Sequence, residues 1–272
     1  MRKYFRLYLV LFSLLFVFSA FAQKSELRFN KAGKFKIVQF TDVHFKCANS
    51  ASDVALERIN EVLDAENPDL VIFTGDIIYA PPADSAMLQV LEPVIRRKIP
   101  FAVTFGNHDD EQGMSRSQLY DIIRKLPGNL LPDRGEVSSP DYVLAIKSSS
   151  DAKTDVALVY CLDSHAYSPL SDVGGYAWFT FEQINWYRQQ STVYRMKNNN
   201  RPLPALAFFH IPFPEYNMAA SDENAIMRGT RMEQSYGPKL NTGMFAAMKE
   251  MGDVMGTEKI KESCIGYATN FS

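Results

Sequence analysis

The sequence predicts an α/β fold in which parallel strands are covered by helices. Two observations carry that reading. Short apolar runs of buried-strand length recur at residues 35–40, 70–73 and 101–104, and segments with apolar residues at helical spacing separate them. Composition agrees: of 272 residues, 46% are hydrophobic and 22% charged, with 14 Gly and 14 Pro, as expected of an ordered chain long enough for one large domain or two small ones.

Taken in order, Phe35–Phe40 is the first strand. Ala55, Leu56, Ile59, Val62 and Leu63 then mark a helix behind Ser52 as N-cap, stopped by Asn67-Pro68. Leu70–Phe73 is the second strand, and a helix over about 84–98 comes next, kinked or restarted at Pro93. Phe101–Thr104 is the third strand, and Ser117–Lys125 a third helix. The second half is mixed. Tyr142–Ile146 and Val156–Leu162 read as neighbouring strands joined through the polar stretch Lys147–Asp155. Thr180-Phe181-Glu182-Gln183 is a capping box opening a helix to about Lys197. Leu203–Phe209 returns as a strand, residues 214–240 are loop-rich, and Asn241–Met251 is a helix.

Residues 1–22 stand apart as a signal peptide. Arg2, Lys3 and Arg6 give a positive start, Leu7–Phe18 an apolar run broken only by Ser13, and Ala20-Phe21-Ala22 a small-x-small cleavage site. The run is shorter than the roughly 20 residues a membrane span needs. The expectation is therefore an exported protein, periplasmic or extracellular, with no stable membrane span after cleavage. Removing the segment leaves 26 Lys+Arg against 31 Asp+Glu, and that acidic balance disfavours general nucleic-acid binding. Cys47, Cys161 and Cys264 are odd in number and lack framework spacing, so no disulfide is expected, and Cys161 reads as a small core residue.

The most informative residues are those directly after each strand. Thr41-Asp42-Val43-His44 lies behind the first, Thr74-Gly75-Asp76 behind the second, and Phe105-Gly106-Asn107-His108-Asp109 behind the third; His210 comes directly after Leu206–Phe209. In open α/β sheets ligands bind beyond the carboxyl ends of strands, so the four clusters are expected on one rim. Carboxylate, imidazole and amide oxygen suit hard or borderline divalent ions. In an extended segment Asp42 and His44, at i and i+2, point the same way. Gly75 and Gly106 permit sharp turns where a Cβ would clash. Each piece alone has a commonplace reading as a surface pair, a turn or a hydrogen-bonded core histidine. Four in succession, each after an apolar strand, form a pattern.

On these motifs the sequence resembles the calcineurin-like metallophosphoesterase superfamily, whose opening motifs Asp-x-His, Gly-Asp and Gly-Asn-His-Asp/Glu match Asp42/His44, Gly75-Asp76 and Gly106–Asp109. Leu162-Asp163-Ser164 and Phe209-His210-Ile211-Pro212 are similar to its purple acid phosphatase-related bacterial and fungal group. The resemblance implies two mixed β-sheets packed face to face with helices outside, a four-layer sandwich, and two divalent or mixed-valence metal ions of the Mn, Fe or Zn class. It places Asp42, His44 and Asp76 on the first metal and Asp76, Asn107 and His210 on the second. A hydroxide between the ions would attack phosphorus, and His108 would protonate the leaving oxygen. Asp109 either orients His108 or is an exposed loop acid. Gly75-Asp76-Ile77-Ile78-Tyr79 also matches Gly-Asp-x-x-Tyr of purple acid phosphatases, whose Tyr binds Fe(III); because His44 can supply that ligand, Tyr79 reads as a pocket wall, with iron ligation the alternative. His165 reads either as a substrate contact or as a loop residue off the rim.

The superfamily's closing Gly-His-x-His is missing, since the four histidines are 44, 108, 165 and 210. The expectation is a catalytic domain over 23–256 and an atypical tail at 257–272, arising by truncation or frameshift and lacking the closing strands. That would leave a sheet edge unpaired and open to self-association. Glu258, Glu262 and Cys264 match no ligand spacing. The function implied is hydrolysis of small phosphorylated substrates by an exported metallophosphoesterase; the alternative is a non-catalytic remnant that binds metal or phosphate weakly.

Overall fold

The computed structural model describes residues 26–133, 141–226, 234–258 and 267–271. The elements in chain order are β1 (Phe35–Phe40), α1 (Ser50–Glu66), β2 (Leu70–Thr74), α2 (Ala83–Arg96) and β3 (Phe101–Thr104). A single 3-10 turn at Asp109–Glu111, α3 (Arg116–Ile123), β4 (Tyr142–Lys147), β5 (Asp155–Cys161) and α4 (Phe181–Lys197) come next. The chain continues through β6 (Ala205–Phe208), α5 (Glu215–Ser221), α6 (Met244–Met251), β7 (Val254–Glu258) and β8 (Tyr267–Phe271).

Two four-stranded sheets result, ordered β3-β2-β1-β8 and β4-β5-β6-β7. In the first, β1, β2 and β3 run parallel while β8 joins β1 antiparallel. In the second, β5, β6 and β7 are parallel and β4 is antiparallel to β5. Side-chain alternation divides each strand between two apolar layers. Phe35 and Ile37 of β1, Leu70 and Ile72 of β2 and Ala102 of β3 pack between the sheets against Tyr142, Val159, Cys161, Leu206 and Phe208. Val38, Phe40, Val71, Phe73 and Val103 face the other way and meet Ile59, Leu63, Val90, Leu91 and Leu119 of the helices. Leu158, Tyr160, Ala205 and Ala207 do the same on the far side against Tyr187, Met244 and Met248. Helix, sheet, sheet and helix make the four layers that the resemblance implied, and each fully buried large side chain contributes about 1.5–3 kcal/mol.

One polar contact ties the sheets together at an edge. The Tyr142 hydroxyl donates to the Val103 carbonyl at 2.8 Å and accepts the Val103 N–H at 3.0 Å, so a β4 side chain substitutes for a missing partner strand beside β3. Cys161 lies in the inter-sheet core, where burial raises its thiol pKa to about 12.

Local differences from the expectation have local causes. Asn49, not Ser52, caps α1 by accepting the Ala51 N–H, while Ser52 turns inward and accepts the Lys46 N–H. The helix ends on Asn67 in left-handed conformation ahead of Pro68. Pro93 sits inside one continuous α2. Capping boxes Ser115/Gln118 and Thr180/Gln183 start α3 and α4. The 214–240 region expected to be loop holds the short helix α5. β7 crosses the expected 256/257 boundary to pair with β6, and β8 pairs antiparallel with β1. Residues 1–22, Glu262 and Cys264 lie outside the described residues, among which no helix is long and apolar enough to cross a membrane.

Candidate metal centre

The parallel strands β1, β2 and β3 and the parallel strand β6 bring their carboxyl ends to one rim, and the segments directly after them carry the polar clusters. The first two segments are stitched together by backbone. Asp42 N–H donates to the Gly75 carbonyl at 3.1 Å, His44 N–H to Asp76 at 2.9 Å and Phe45 N–H to Ile77 at 3.0 Å. Asp42 and His44 do not converge by strand alternation, as an extended segment would have them do. Both adopt left-handed backbone, with φ of 51° and 49°, and Asp76 does too at 50°. That conformation costs a non-glycine residue about 1 kcal/mol or more, and Asp and His are among the side chains that tolerate it best. Three such residues around one cavity are strain held in place by the surrounding hydrogen bonds.

The glycines are required by close approach. A Cβ on Gly75, whose φ is +90°, would lie 2.4 Å from the Gly106 nitrogen and 2.9 Å from His210 Cγ. One on Gly106 would lie 2.2 Å from Asp76 Oδ1. The β2 and β3 loops therefore touch backbone to backbone, and this sets where Asp76 points.

Asp76 is the centre of the arrangement. Its Oδ1 accepts the His108 N–H at 2.9 Å, and its Oδ2 lies 3.2 Å from His44 Nε2 and 3.3 Å from His210 Nε2. His210 reaches it from the second sheet and is fixed by its own Nδ1, which donates to the Thr74 carbonyl at 2.9 Å. Burial opposes ionisation of Asp76, but hydrogen bonds from His210 and His44 outweigh it and hold the carboxyl well below the ordinary carboxylate range. For His44 and His210 burial works to lower the pKa, and the bonds to Asp76 reverse the sign and raise it. Ligand atoms of Asp42, Asp76 and His210 lie within 4.8 Å of one another, as do those of His44, Asp76 and His108. This division differs from the one the resemblance implied, with Asp76 shared in both.

Asp42, His44, Asp76, Asn107, His108 and His210 all line one open cleft of about 100 Å³, completed by Tyr176, Ile211, Pro212 and Tyr236. Tyr79, expected as a pocket wall, is not among these lining residues; its ring meets those of His44 and His108 edge-on at 5.0 and 4.8 Å, and Lys46 Nζ lies 4.7 Å over it. The donor set fits divalent metal ions. It offers two carboxylates, imidazole nitrogens and an amide oxygen, with one carboxylate shared and the tautomer of His210 fixed to leave Nε2 toward Asp76.

Asp109 corrects the expectation most sharply. It is fully buried, and its carboxylate accepts the N–H groups of Gly106, Asp76, Ile77 and Ile78 at 2.7, 3.0, 2.8 and 3.2 Å. It is neither exposed nor bonded to His108; Glu111 meets His108 Nδ1 at 2.6 Å instead. His165 is turned to Gln183, 2.8 Å from its Oε1, away from the cleft. Sequence reasoning missed Glu111, Tyr167 and Arg116. The Arg116 guanidinium binds the Gly106 carbonyl at 2.6 Å and Asp163 at 2.8 Å, tying the β3 loop to the second sheet. Only Glu111 left a sequence signal, three residues after His108 and therefore one turn away.

Comparison with known proteins identifies what the chain is similar to. The family model for calcineurin-like phosphoesterases matches residues 35–240. Probable inactive purple acid phosphatase 29 of Arabidopsis thaliana is 32% identical over 90% of this chain and 72% of its own length. Phosphatase DCR2 of Saccharomyces cerevisiae is 35% identical over 68% of this chain, which spans 36% of that protein. Among solved structures, purple acid phosphatase PPD1 from yellow lupin seeds aligns with 86% of this chain and 38% of that one, at 14% identity and a TM-score of 0.45. The extent of the family match and the identity to the plant relative lead to one conclusion: the chain belongs to the calcineurin-like phosphoesterase family.

Proposed function

We propose that the chain is an exported, metal-dependent phosphoesterase acting on small phosphate esters. The observation that carries this reading is the position of Asp76 Oδ2 between His44 Nε2 and His210 Nε2, at 3.2 and 3.3 Å, beside a cleft that Asp42, Asn107 and His108 also face. Asp42, His44, Asp76, Asn107 and His210 would hold two divalent ions of the Mn, Fe or Zn class, with Asp76 serving both. Such ions, when bound, neutralise phosphate charge and acidify the attacking water.

The chain's own residues do the positioning. Asp109 and the two glycines fix the loop that carries Asp76. His108, with Nδ1 engaged by Glu111, keeps Nε2 for a proton that passes to the leaving oxygen of the ester. Tyr176 and Tyr236 give the cleft an aromatic side against which the organic part of a substrate can rest. Export rests on the charged start, apolar run and Ala-x-Ala of residues 2–22.

A second reading, metal or phosphate binding without turnover, is favoured by similarity to a plant relative described as a probable inactive phosphatase. Release of nitrophenol from an aryl phosphate separates the two. The first reading predicts metal-dependent release that Asp76→Ala and His108→Ala abolish. A stable, metal-loaded and inert protein would establish the second.

A further inference from the structure

We infer that Tyr167 is a positioning residue of this centre, whose hydroxyl holds the nitrogen of the Asn107 amide and so leaves the amide oxygen for the cleft. The inference rests on the proposed reading of Asn107 as a metal ligand.

An asparagine amide can bind a cation only through its oxygen, and nothing in the side chain itself chooses between oxygen and nitrogen. Here the choice is made from outside. Asn107 Nδ2 donates to the Tyr167 hydroxyl at 3.0 Å. A hydroxyl can take the amide N–H on a lone pair while its own proton points elsewhere. With Nδ2 committed, the amide oxygen is the atom left for the cleft. On the neighbouring residue the Glu111 carboxylate takes the hydrogen of His108 Nδ1 at 2.6 Å, so the nitrogen of His108 left for the cleft is Nε2.

Tyr167 is itself held stiffly. It forms an antiparallel bridge with Tyr176, and Ser168 N–H to the Gly175 carbonyl at 2.8 Å and Ala177 N–H to the Ala166 carbonyl at 3.1 Å close the surrounding loop. The two tyrosine rings stack at 6.0 Å with 14° between their planes. Because Tyr176 lines the cleft while Tyr167 holds Asn107, this loop after β5 links the cavity wall to the ligand amide.

The test is titration of Mn2+ into the metal-free full chain, monitored by calorimetry, with the melting temperature recorded for each variant. Tyr167→Phe deletes only the hydroxyl and keeps the ring stack. Affinity for Mn2+ should fall about tenfold, as is typical when a partner behind a ligand is lost, with melting unchanged. In an Asn107→Asp background either carboxylate oxygen can ligate, so orientation ceases to matter and the same Tyr167→Phe change should have almost no effect. The inference is overturned if Tyr167→Phe keeps wild-type affinity while Asn107→Ala loses it. If Asn107→Ala itself keeps wild-type affinity, the ligand set proposed above falls, and this inference with it.

Discussion

The carboxylate of Asp109 accepts the backbone N–H of Asp76 at 3.0 Å, so the last residue of one loop motif holds the shared metal-ligand candidate of another. The same carboxylate gathers the N–H groups of Gly106, Ile77 and Ile78. The geometry of the centre therefore depends on a buried acid that does not face the cleft.

Asp109→Asn tests that dependence. An amide offers one acceptor oxygen where the carboxylate offers two, so buried N–H groups lose their partners. Each costs about 1–3 kcal/mol, and a total loss of roughly 3–5 kcal/mol is expected in urea unfolding, together with weaker metal binding. A change within about 0.5 kcal/mol, the range of ordinary surface substitutions, would contradict the role.

Gly106→Ala should prevent the β2 and β3 loops from meeting, because its Cβ would stand 2.2 Å from Asp76 Oδ1 and 2.4 Å from the Asp76 nitrogen. Loss of folding or of metal binding is expected. Gly113 provides the contrast: its φ is +88°, yet nothing lies within 4 Å of a Cβ there, so Gly113→Ala should cost only the backbone strain, about 1 kcal/mol. Equal effects of the two substitutions would refute the steric account.

How much of this was legible in the sequence depends on range. The strands, the capping boxes and the four ligand clusters are local strings, and Asp42, His44, Asp76, Asn107 and His210 do line one cleft. The left-handed turns at Asp42 and His44 were not legible, because no glycine marks them and the hydrogen bonds that hold them come from Gly75 and Asp76, in the loop after the next strand. The contact of Asn107 with Tyr167 and the pairing of Lys36 with Asn270 join distant segments, which neither period nor motif encodes. Asp109 was misjudged because an acid after a histidine suggests an orienting partner, whereas the loop after β2 offered it three N–H groups and its own loop a fourth.

Tyr142→Phe probes the joint between the sheets. Without the hydroxyl, the buried N–H and carbonyl of Val103 both lose their partner, and a loss of about 2–4 kcal/mol is expected from chemical denaturation. An unchanged unfolding midpoint would mean that β3 needs no such support.

The pH dependence of stability carries a signature of Asp141. Burial raises its pKa from 3.8 to about 6, despite hydrogen bonds accepted from the Asp163 N–H at 2.8 Å and Gln183 Nε2 at 3.0 Å. The folded protein then binds this proton more tightly than the unfolded chain. The contribution to stability is full below pH 4, declines as pH rises toward 6 and is lost above, by at most about 3 kcal/mol. Asp141→Asn should remove that slope from the wild-type profile. A difference curve between wild type and variant that stays flat from pH 4 to 6 would contradict the assignment.

The central claim is that Asp76 is shared by two metal sites, and metal content measured by mass spectrometry tests it most directly. Wild-type protein loaded with Mn2+, Fe2+ or Zn2+ and freed of excess should hold up to two ions per chain. Asp76→Ala should hold almost none, since one substitution removes a ligand from both sites, whereas Asp42→Ala and His44→Ala should each retain part of the load. An Asp76→Ala protein that is folded and carries the wild-type complement of metal would contradict the account.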